Sequence, residues 1–175
     1  MDLTTSKTVA AIEAGGTKFV VAIGRGGQMG PRVTILTTDP NTTLSSVVDA
    51  IKTELDGDAL NAIGIASFGP IDIDKQSQTY GEIDATPKVG WAGVNLHSYF
   101  SQAFGCPIGI ESDVNGAALA EAHWGRPIPI NHLAYVTVGT GIGVGVIHKG
   151  IIVNGSGHPE MGHILVPPHS TDTSF

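Results

Sequence analysis

Apolar residues recur along the chain with two different spacings, and the alternation of those spacings predicts strands interleaved with helices. Short runs rich in valine, isoleucine and alanine are typical of strands, and they cover residues 8–13, 19–23, 32–37, 62–67 and 106–112. Between the third and fourth runs the spacing becomes i, i+3, i+4, i+7 and i+11, which predicts an amphipathic helix over residues 42–55. Its apolar positions are Leu44, Val47, Val48, Ile51 and Leu55. We expect Thr42 or Thr43 to cap the start of this helix, and Gly57 lies just past its end.

The second half of the chain repeats this alternation. Asn95 is a candidate cap for a second helix, whose apolar face would carry Leu96, Tyr99, Phe100, Ala103 and Phe104. Residues 115–124 are alanine-rich and predict a third helix, while residues 133–155 predict a strand, a glycine-rich turn, a strand, a short turn and a strand. Residues 71–92 are polar and predict a long loop, and such loops are often functional. Strands that alternate with helices place the chain in the α/β class.

Composition and charge narrow the class of partner. The 175 residues include 24 glycines without a Gly-X-Y period, which indicates many tight turns and not a fibre. Lys and Arg total 9 against 16 Asp and Glu, a formal charge of −7 without a basic stripe, so nucleic acid is a poor candidate partner. The single cysteine, Cys106, cannot form an intrachain disulfide. The sequence shows no signal-peptide pattern and no apolar run long enough to cross a bilayer, so we expect a cytoplasmic protein without membrane contact.

Two apolar runs near the start of the chain are joined by Gly15, Gly16, Thr17 and Lys18. Successive glycine N–H groups can form a concave array that binds an anion, to which a hydroxyl or an ammonium group adds a contact. The spacing is not that of a P-loop, and the chain contains no G-x-G-x-x-G, so neither a P-loop NTPase nor a dinucleotide-binding dehydrogenase is supported. Taken alone, the turn is better explained as a hairpin in which glycine supplies a positive φ.

A second glycine turn strengthens the phosphate hypothesis, because Gly139, Thr140 and Gly141 repeat the same chemistry between two further predicted strands. Two such turns facing each other across a cleft could hold a polyphosphate from both sides. For the neighbouring Gly143 and Gly145 we favour a simpler role, in which a missing side chain allows tight packing of the strand.

One carboxylate lies where ligands collect in α/β proteins. Asp113 follows the predicted strand at 106–112 and precedes the third helix, and ligands bind outside the carboxyl ends of such strands. A carboxylate there could accept a proton from a hydroxyl that attacks a phosphate. Asp is also a favoured helix cap, and the residues alone leave these two interpretations about even.

The C-terminal segment is rich in histidine, with His158, Glu160, His163 and His169 close together. Their spacing is not H-E-x-x-H, and Cys106 is remote with no C-x-x-C in the chain. A four-ligand structural zinc site therefore cannot be assembled convincingly from these residues. For His158 and His169 we expect surface or packing roles.

Taken together, these segments resemble one family, the ROK sugar kinases, and within it the bacterial fructokinases. The matching segments, in the expected order, are "IEAGGTKFVVAIG", "GIASFGPIDI", "TPKVGWAGVNL", "ESDVNGAALAEAHWG" and "YVTVGTGIGVGVIHKGIIVNGSGHPEMGHILV". The family has the actin-like, ribonuclease H-like ATPase fold, in which two α/β lobes flank a cleft. The resemblance implies an N-terminal lobe over residues 1–115 and the start of a second lobe over residues 116–175.

The resemblance also implies roles for single residues. Asp113 matches the catalytic base that deprotonates the attacking sugar hydroxyl. ATP would be held, together with Mg²⁺, by Gly15, Gly16, Thr17, Lys18, Gly139, Thr140 and Gly141. The sugar would be held by Gly69, Pro70, Lys88, Ser112, Glu160 and His163. His163 would also bind zinc, in a site that needs further ligands from beyond Phe175.

Two departures from the family pattern point to a subgroup. Glu13 stands where most members have Asp, as in the fructokinase-like members, and Ser112 replaces an Asn common in the glucokinases. ROK repressors carry a helix-turn-helix ahead of the first phosphate loop. Only eight residues precede Val9 in this sequence, so we expect a kinase and not a repressor.

The function implied is ATP-dependent phosphorylation of a hexose, fructose to fructose 6-phosphate, with hexose and nucleotide as small-molecule partners. The family continues well past Phe175, so we expect the remainder of the second lobe to be needed for turnover. It could be supplied by a complementary C-terminal chain, and the family resemblance also suggests a homodimer. The alternatives are a sugar-binding remnant without catalysis and, with less support, a generic actin-like ATPase.

Overall fold

The computed structural model describes residues 7–125, 128, 130–139, 141–154, 161–167 and 171. Its strands are β1 (Thr8–Ala14), β2 (Lys18–Arg25), β3 (Gln28–Met29), β4 (Val33–Leu36), β5 (Ala62–Ser67), β6 (Ile108–Ser112), β7 (His132–Val138), β8 (Ile142–His148) and β9 (Ile151–Ile152). Its helices are α1 (Pro40–Leu55), α2 (Leu96–Phe104) and α3 (Asp113–Trp124), followed by a 3₁₀ turn at Met161–His163. The predicted α/β class is confirmed.

The first sheet has the order β3-β2-β1-β5-β6, and β4 also pairs with β2. β1 is antiparallel to β2 but parallel to β5, which is parallel to β6. The register places Ala14 beside Ser67 and Ser67 beside Ser112. Because these residues end parallel neighbours, the segments that begin at Gly15, Phe68 and Asp113 emerge at one edge of the sheet.

One face of this sheet is buried under α1 and α2. Alternate residues of β1 point into this core, since Ala10, Ile12 and Ala14 are buried while Ala11 and Glu13 are exposed, as the period of two in a strand requires. The apolar stripe predicted on the first helix is also buried, from Leu44 to Leu55. The pattern of apolar positions therefore identified this face of the sheet and the helix that covers it.

The predicted long loop, residues 71–92, contributes more to the core than its polar composition indicated. Ile71, Ile83 and Trp91 are almost fully buried, and Ile71 pairs with Ile83 in an isolated bridge. The Trp91 ring lies 5.5 Å from that of Phe19 and 5.7 Å from that of Phe68. The segment is thus an irregular layer whose apolar side chains extend the core, while its polar residues 74–76 and 78–79 are exposed.

Of the two N-terminal helix caps that were predicted, one is confirmed and one is wrong. Asn95 caps α2 as expected, its side chain accepting the Ser98 N–H at 2.8 Å. The expected cap of α1 at Thr42 or Thr43 is wrong, because α1 begins at Pro40 and its cap is Asp39, which accepts the Thr42 N–H at 3.0 Å. Proline suits the first helical position, since it has no N–H to leave unpaired and its φ is already helical.

The second sheet packs on the first through α3. β7, β8 and β9 form an antiparallel meander, and α3 contacts β5 of the first sheet as well as β7 and β8. A Cβ added at Gly143 would lie 2.6 Å from Val114 Cγ1, and one at Gly145 would clash with the Val114 carbonyl oxygen. The predicted packing role of these glycines is confirmed. The predicted domain boundary at residue 115 falls inside α3, which both sheets share, and it stays a prediction.

Within the part of the chain that the structure describes, no helix is both long enough and apolar enough to span a lipid bilayer.

Candidate functional site

A cleft of about 830 Å³ opens between the carboxyl edge of the first sheet and the glycine turn that joins β7 to β8. Six of the predicted site residues line it, the catalytic Asp113 and five predicted to bind substrate or nucleotide: Gly69, Pro70, Gly139, Gly141 and His163. They come from segments far apart in sequence, so the fold itself assembles the site. A carboxylate and exposed backbone in one cleft can serve proton transfer and anion binding.

Asp113 is the first residue of α3, and it is exposed at the wall of the cleft. Its Oδ1 accepts the Val114 N–H at 2.8 Å. The cap of α3 is Ser112 and not Asp113, since the Ser112 Oγ accepts the Asn115 N–H at 3.3 Å. The interpretation of Asp113 as a helix cap is therefore wrong, and its role as a base stays a prediction.

Two residues predicted to contact the sugar, Ser112 and Lys88, instead make hydrogen bonds within the protein. Ser112 is fully buried at the helix cap and does not line the cleft. Lys88 is half-buried, and its Nζ donates to the Thr37 carbonyl oxygen at 3.2 Å. Its neighbour Pro87 reaches the cleft wall, so the segment borders the site even though the Lys88 side chain is directed at Thr37.

The first glycine turn lies beside the cleft and not in its lining. Gly15 follows Ala14 two strands away from Asp113 in the register, which corresponds to about 10 Å at the spacing of neighbouring strands. Lys18 faces a different groove, on the open side of the first sheet, which it shares with Glu13 and Glu111. Of the two glycine turns, only the second lines this cleft, so the arrangement of two turns facing each other across it stays a prediction.

In the first turn, packing requires a glycine at position 15 but not at position 16. Neither Gly15 nor Gly16 has a positive φ, so the hairpin explanation by left-handed backbone is wrong. The Gly15 N–H donates to the Lys18 carbonyl oxygen at 3.0 Å, and a Cβ on Gly15 would lie 2.7 Å from that oxygen. A Cβ on Gly16 would meet nothing within 4 Å. Within the described residues, the N–H groups of Gly16 and Thr17 have no acceptor in the protein.

Two adjacent unpaired N–H groups at a turn suit a phosphate oxygen. The open space over Gly16 leaves room for such a ligand, because packing does not demand a glycine there. The residues present therefore fit an anion at this turn, to which the Thr17 hydroxyl and the Lys18 ammonium could add contacts.

The second glycine turn is also open. A Cβ on Gly139 or on Gly141 would meet nothing within 4 Å, and the Gly139 N–H donates to the Gly141 carbonyl oxygen at 2.9 Å. Thr140 and Glu160, both predicted contacts, lie outside the described residues. His163 is exposed at the cleft wall.

A buried amide that was not among the predicted site residues lies at the base of α3. Asn115 is fully buried, and its Nδ2 donates to Glu111 Oε2 at 3.1 Å and to Asn154 Oδ1 at 2.9 Å. It thus ties the helix that carries Asp113 to the end of the second sheet. The signal that could have identified it was an amide at the third position of α3, ahead of the alanine-rich part of the helix.

The role of His163 as a zinc ligand stays a prediction, because its further ligands are expected from beyond Phe175. Among the described residues, no group of three or more His, Cys, Asp and Glu side chains is placed to hold a metal ion. Cys106 packs against the core of the first sheet, and burial raises the pKa of its thiol. His158, Glu160 and His169 lie outside the described residues.

Comparisons with known proteins identify the fold and its relatives. A family model described as ROK family matches residues 9–173. The fructokinase of Zymomonas mobilis subsp. mobilis is 43% identical over 172 residues, covering 97% of this chain and 57% of that protein. The fructokinase of Streptococcus mutans is 42% identical over 168 residues, covering 95% and 56%. The chain thus spans just over half the length of these curated relatives.

Among solved structures, the ROK hexokinase of Thermus thermophilus superposes with a TM-score of 0.77 at 28% identity, covering 92% of this chain and 54% of that one. A ROK family glucokinase from Streptomyces griseus, solved with glucose and AMPPNP, has a TM-score of 0.76 at 24% identity, covering 92% and 51%. These likenesses confirm the predicted actin-like, ribonuclease H-like ATPase fold.

Proposed function

The chain belongs to the ROK family, and we propose that it forms the amino-terminal part of an ATP-dependent hexose kinase that converts fructose to fructose 6-phosphate. The observation that carries the proposal is the cleft in which Asp113 faces the open glycine turn at Gly139 and Gly141. The choice of fructose is supported by the similarity to named fructokinases at 42–43% identity. It is supported as well by Glu13, the residue of the fructokinase-like members.

In the proposed reaction, Asp113 accepts the proton from the primary hydroxyl of the sugar as that oxygen attacks the γ-phosphorus of ATP. The bond from the γ-phosphorus to the bridging oxygen breaks, and ADP leaves. The unpaired N–H groups of Gly16 and Thr17 would hold phosphate oxygens whose charge grows during transfer. Bound Mg²⁺ would neutralise part of the phosphate charge. Gly69 and Pro70, on the opposite side of the cleft from the second glycine turn, would contact the sugar.

A second candidate is a sugar-binding module that does not turn over ATP. It is favoured by one observation, that the first glycine turn does not line the cleft that holds Asp113. The chain's share of its relatives' length, 56–57%, also means that a second polypeptide, or the rest of a longer chain, would be needed to complete a kinase of their size.

Hexose-dependent ADP release separates these candidates. The chain is assayed alone and with the complementary C-terminal part of the Zymomonas mobilis fructokinase, using fructose, glucose and mannose in parallel. We expect ADP release to require both polypeptides and to be fastest with fructose. Persistent inactivity, together with fructose binding by calorimetry, would support the binding module. ADP release without any sugar would support a generic ATPase.

The intact mass of the denatured protein complements this assay. A second polypeptide that copurifies with the chain would support a split or nicked kinase. The same preparation, measured by light scattering, tests the predicted homodimer.

A further inference from the structure

Thr37 lies just past β4 and makes bonds to both halves of the proposed site. It is buried, with 7% of its surface exposed. Its N–H donates to the Thr17 carbonyl oxygen at 2.9 Å, and its Oγ1 donates to the Gly15 carbonyl oxygen at 2.7 Å. Its own carbonyl oxygen accepts the Lys88 ammonium at 3.2 Å. One residue therefore joins the first glycine turn to the segment at the cleft wall.

A second bridge runs beside the first. The Trp91 Nε1 donates to the Thr38 carbonyl oxygen at 2.9 Å, and the Trp91 ring packs on Phe19, which follows the glycine turn, and on Phe68, which precedes Gly69. Both bridges end on adjacent residues, Thr37 and Thr38. Displacement of the segment around Lys88 is therefore opposed by bonds that lead directly to the turn.

Residues 37 and 38 are themselves held in place by α1. The Thr38 N–H donates to the Thr43 Oγ1 at 2.9 Å, and Thr43 is buried in the first turns of the helix. The path from the Lys88 ammonium to the glycine turn therefore consists of direct hydrogen bonds within a tightly packed region, which can transmit strain between its two ends.

We propose that Thr37 is a positioning residue that couples the sugar side of the cleft to the first glycine turn. Contact of a polyol with the segment around Lys88 would then change the affinity of the turn for a polyphosphate, and the effect would be reciprocal. The ligand classes rest on the proposed function, whereas the mechanical link rests only on the hydrogen bonds of Thr37.

The link is tested without any ligand by following the backbone amide resonances of the ¹⁵N-labelled chain. Lys88→Met removes the ammonium group but keeps the length of the side chain. We expect it to shift the Gly16 and Thr17 amide resonances, and we expect a smaller shift when Thr37→Val is also present. If Lys88→Met alone shifts only the resonances of residues 86–91, the proposal is overturned. This result is obtained with Thr37 unchanged.

Pyrophosphate titration tests the consequence for binding. Thr37→Val should weaken binding at the turn about tenfold, the effect expected from one lost hydrogen bond. Thr37→Ser retains the hydroxyl, and its affinity for pyrophosphate should stay close to that of the unchanged chain. Thr34→Val makes the same substitution at an exposed position of β4 and is the matched control. Equal weakening in both valine variants would contradict the proposal.

The two proposals fail differently in these experiments. If pyrophosphate leaves the turn resonances of the unchanged chain in place while Lys88→Met still moves them, the link stands and the phosphate role of the turn is wrong. If pyrophosphate binds at the turn but Lys88→Met has no effect there, the phosphate role stands and the link is wrong.

Discussion

The indole N–H of Trp91 donates a hydrogen bond of 2.9 Å to the carbonyl oxygen of Thr38, which lies 53 residues earlier in the chain. Trp91 is fully buried, so this bond and its ring contacts fix the irregular layer against the first sheet. Trp91→Phe keeps an aromatic ring but leaves the carbonyl without a partner. We expect the unpaired carbonyl alone to lower the free energy of unfolding by about 1–3 kcal/mol, as measured by urea denaturation.

Trp124→Phe is the matched control, because Trp124 is 81% exposed. It should change the free energy of unfolding by less than about 0.5 kcal/mol, as is usual for a surface substitution. Equal destabilisation by both variants would show that the buried bond contributes nothing specific.

The packing of α3 on the second sheet predicts different costs for two glycine substitutions. Gly145→Ala should destabilise the protein by about 1–3 kcal/mol, because the new methyl group would be forced against the Val114 carbonyl. Gly139→Ala introduces the same methyl group where nothing lies within 4 Å. It should stay within about 0.5 kcal/mol of the unchanged chain. Thermal unfolding followed by circular dichroism compares them, and similar midpoints would contradict this account of the contact between α3 and β8.

Elements that depend on local sequence signals were predicted better than those that depend on contacts between distant residues. Asn95 was identified as the cap of α2 because its signal is local, a polar residue directly before an apolar stripe with helical spacing. Asp39 was missed, although Pro40 beside it was an equally local signal of a helix start. Ile71 and Trp91 follow no regular period, and their burial depends on partners remote in sequence, such as Phe19.

The same distinction applies to the site. Asp113 was found because the position after a buried parallel strand is itself a topological signal. The bond from Lys88 to the Thr37 carbonyl oxygen joins residues 51 positions apart, and no spacing rule connects them. The sequence identified which segments carry polar chemistry, whereas the direction of the Lys88 side chain followed only from the packed fold.

The cap of α1 predicts a dependence of stability on pH. The Thr42 N–H is the main cause that holds the pKa of the Asp39 carboxyl below its usual value. A lowered pKa in the folded state means that the carboxylate stabilises the protein above the pKa of the unfolded chain. This contribution is lost as the pH falls through the lower, folded value.

Asp39→Ala removes the cap at every pH. Its urea midpoint should lie below that of the unchanged chain at neutral pH, and the difference should shrink in strong acid. The pKa of Asp72 is also lowered, mainly by Ser77, but Asp72 is present in both proteins and cancels from the comparison. A difference that stayed constant into strong acid would show that the ionised cap does not contribute.

The position of Asp113 leads to the prediction that bears most directly on the chemistry. Asp113→Asn retains the shape of the side chain and an oxygen that can accept the Val114 N–H, but the amide cannot take up a proton. In the complemented kinase we expect hexose-dependent ADP release to fall by about 10²–10⁴-fold, the usual contribution of a general base. Hexose affinity, measured by calorimetry, should change little, because the loss concerns the transition state.

Asp49→Asn is the control for this substitution, since Asp49 is an exposed residue on α1, outside the cleft. It should leave both ADP release and hexose affinity unchanged. Near-normal turnover in Asp113→Asn would remove Asp113 from the chemistry. Loss of turnover and of hexose affinity together, with the fold intact, would make Asp113 a substrate contact and leave the base to be found elsewhere in the cleft.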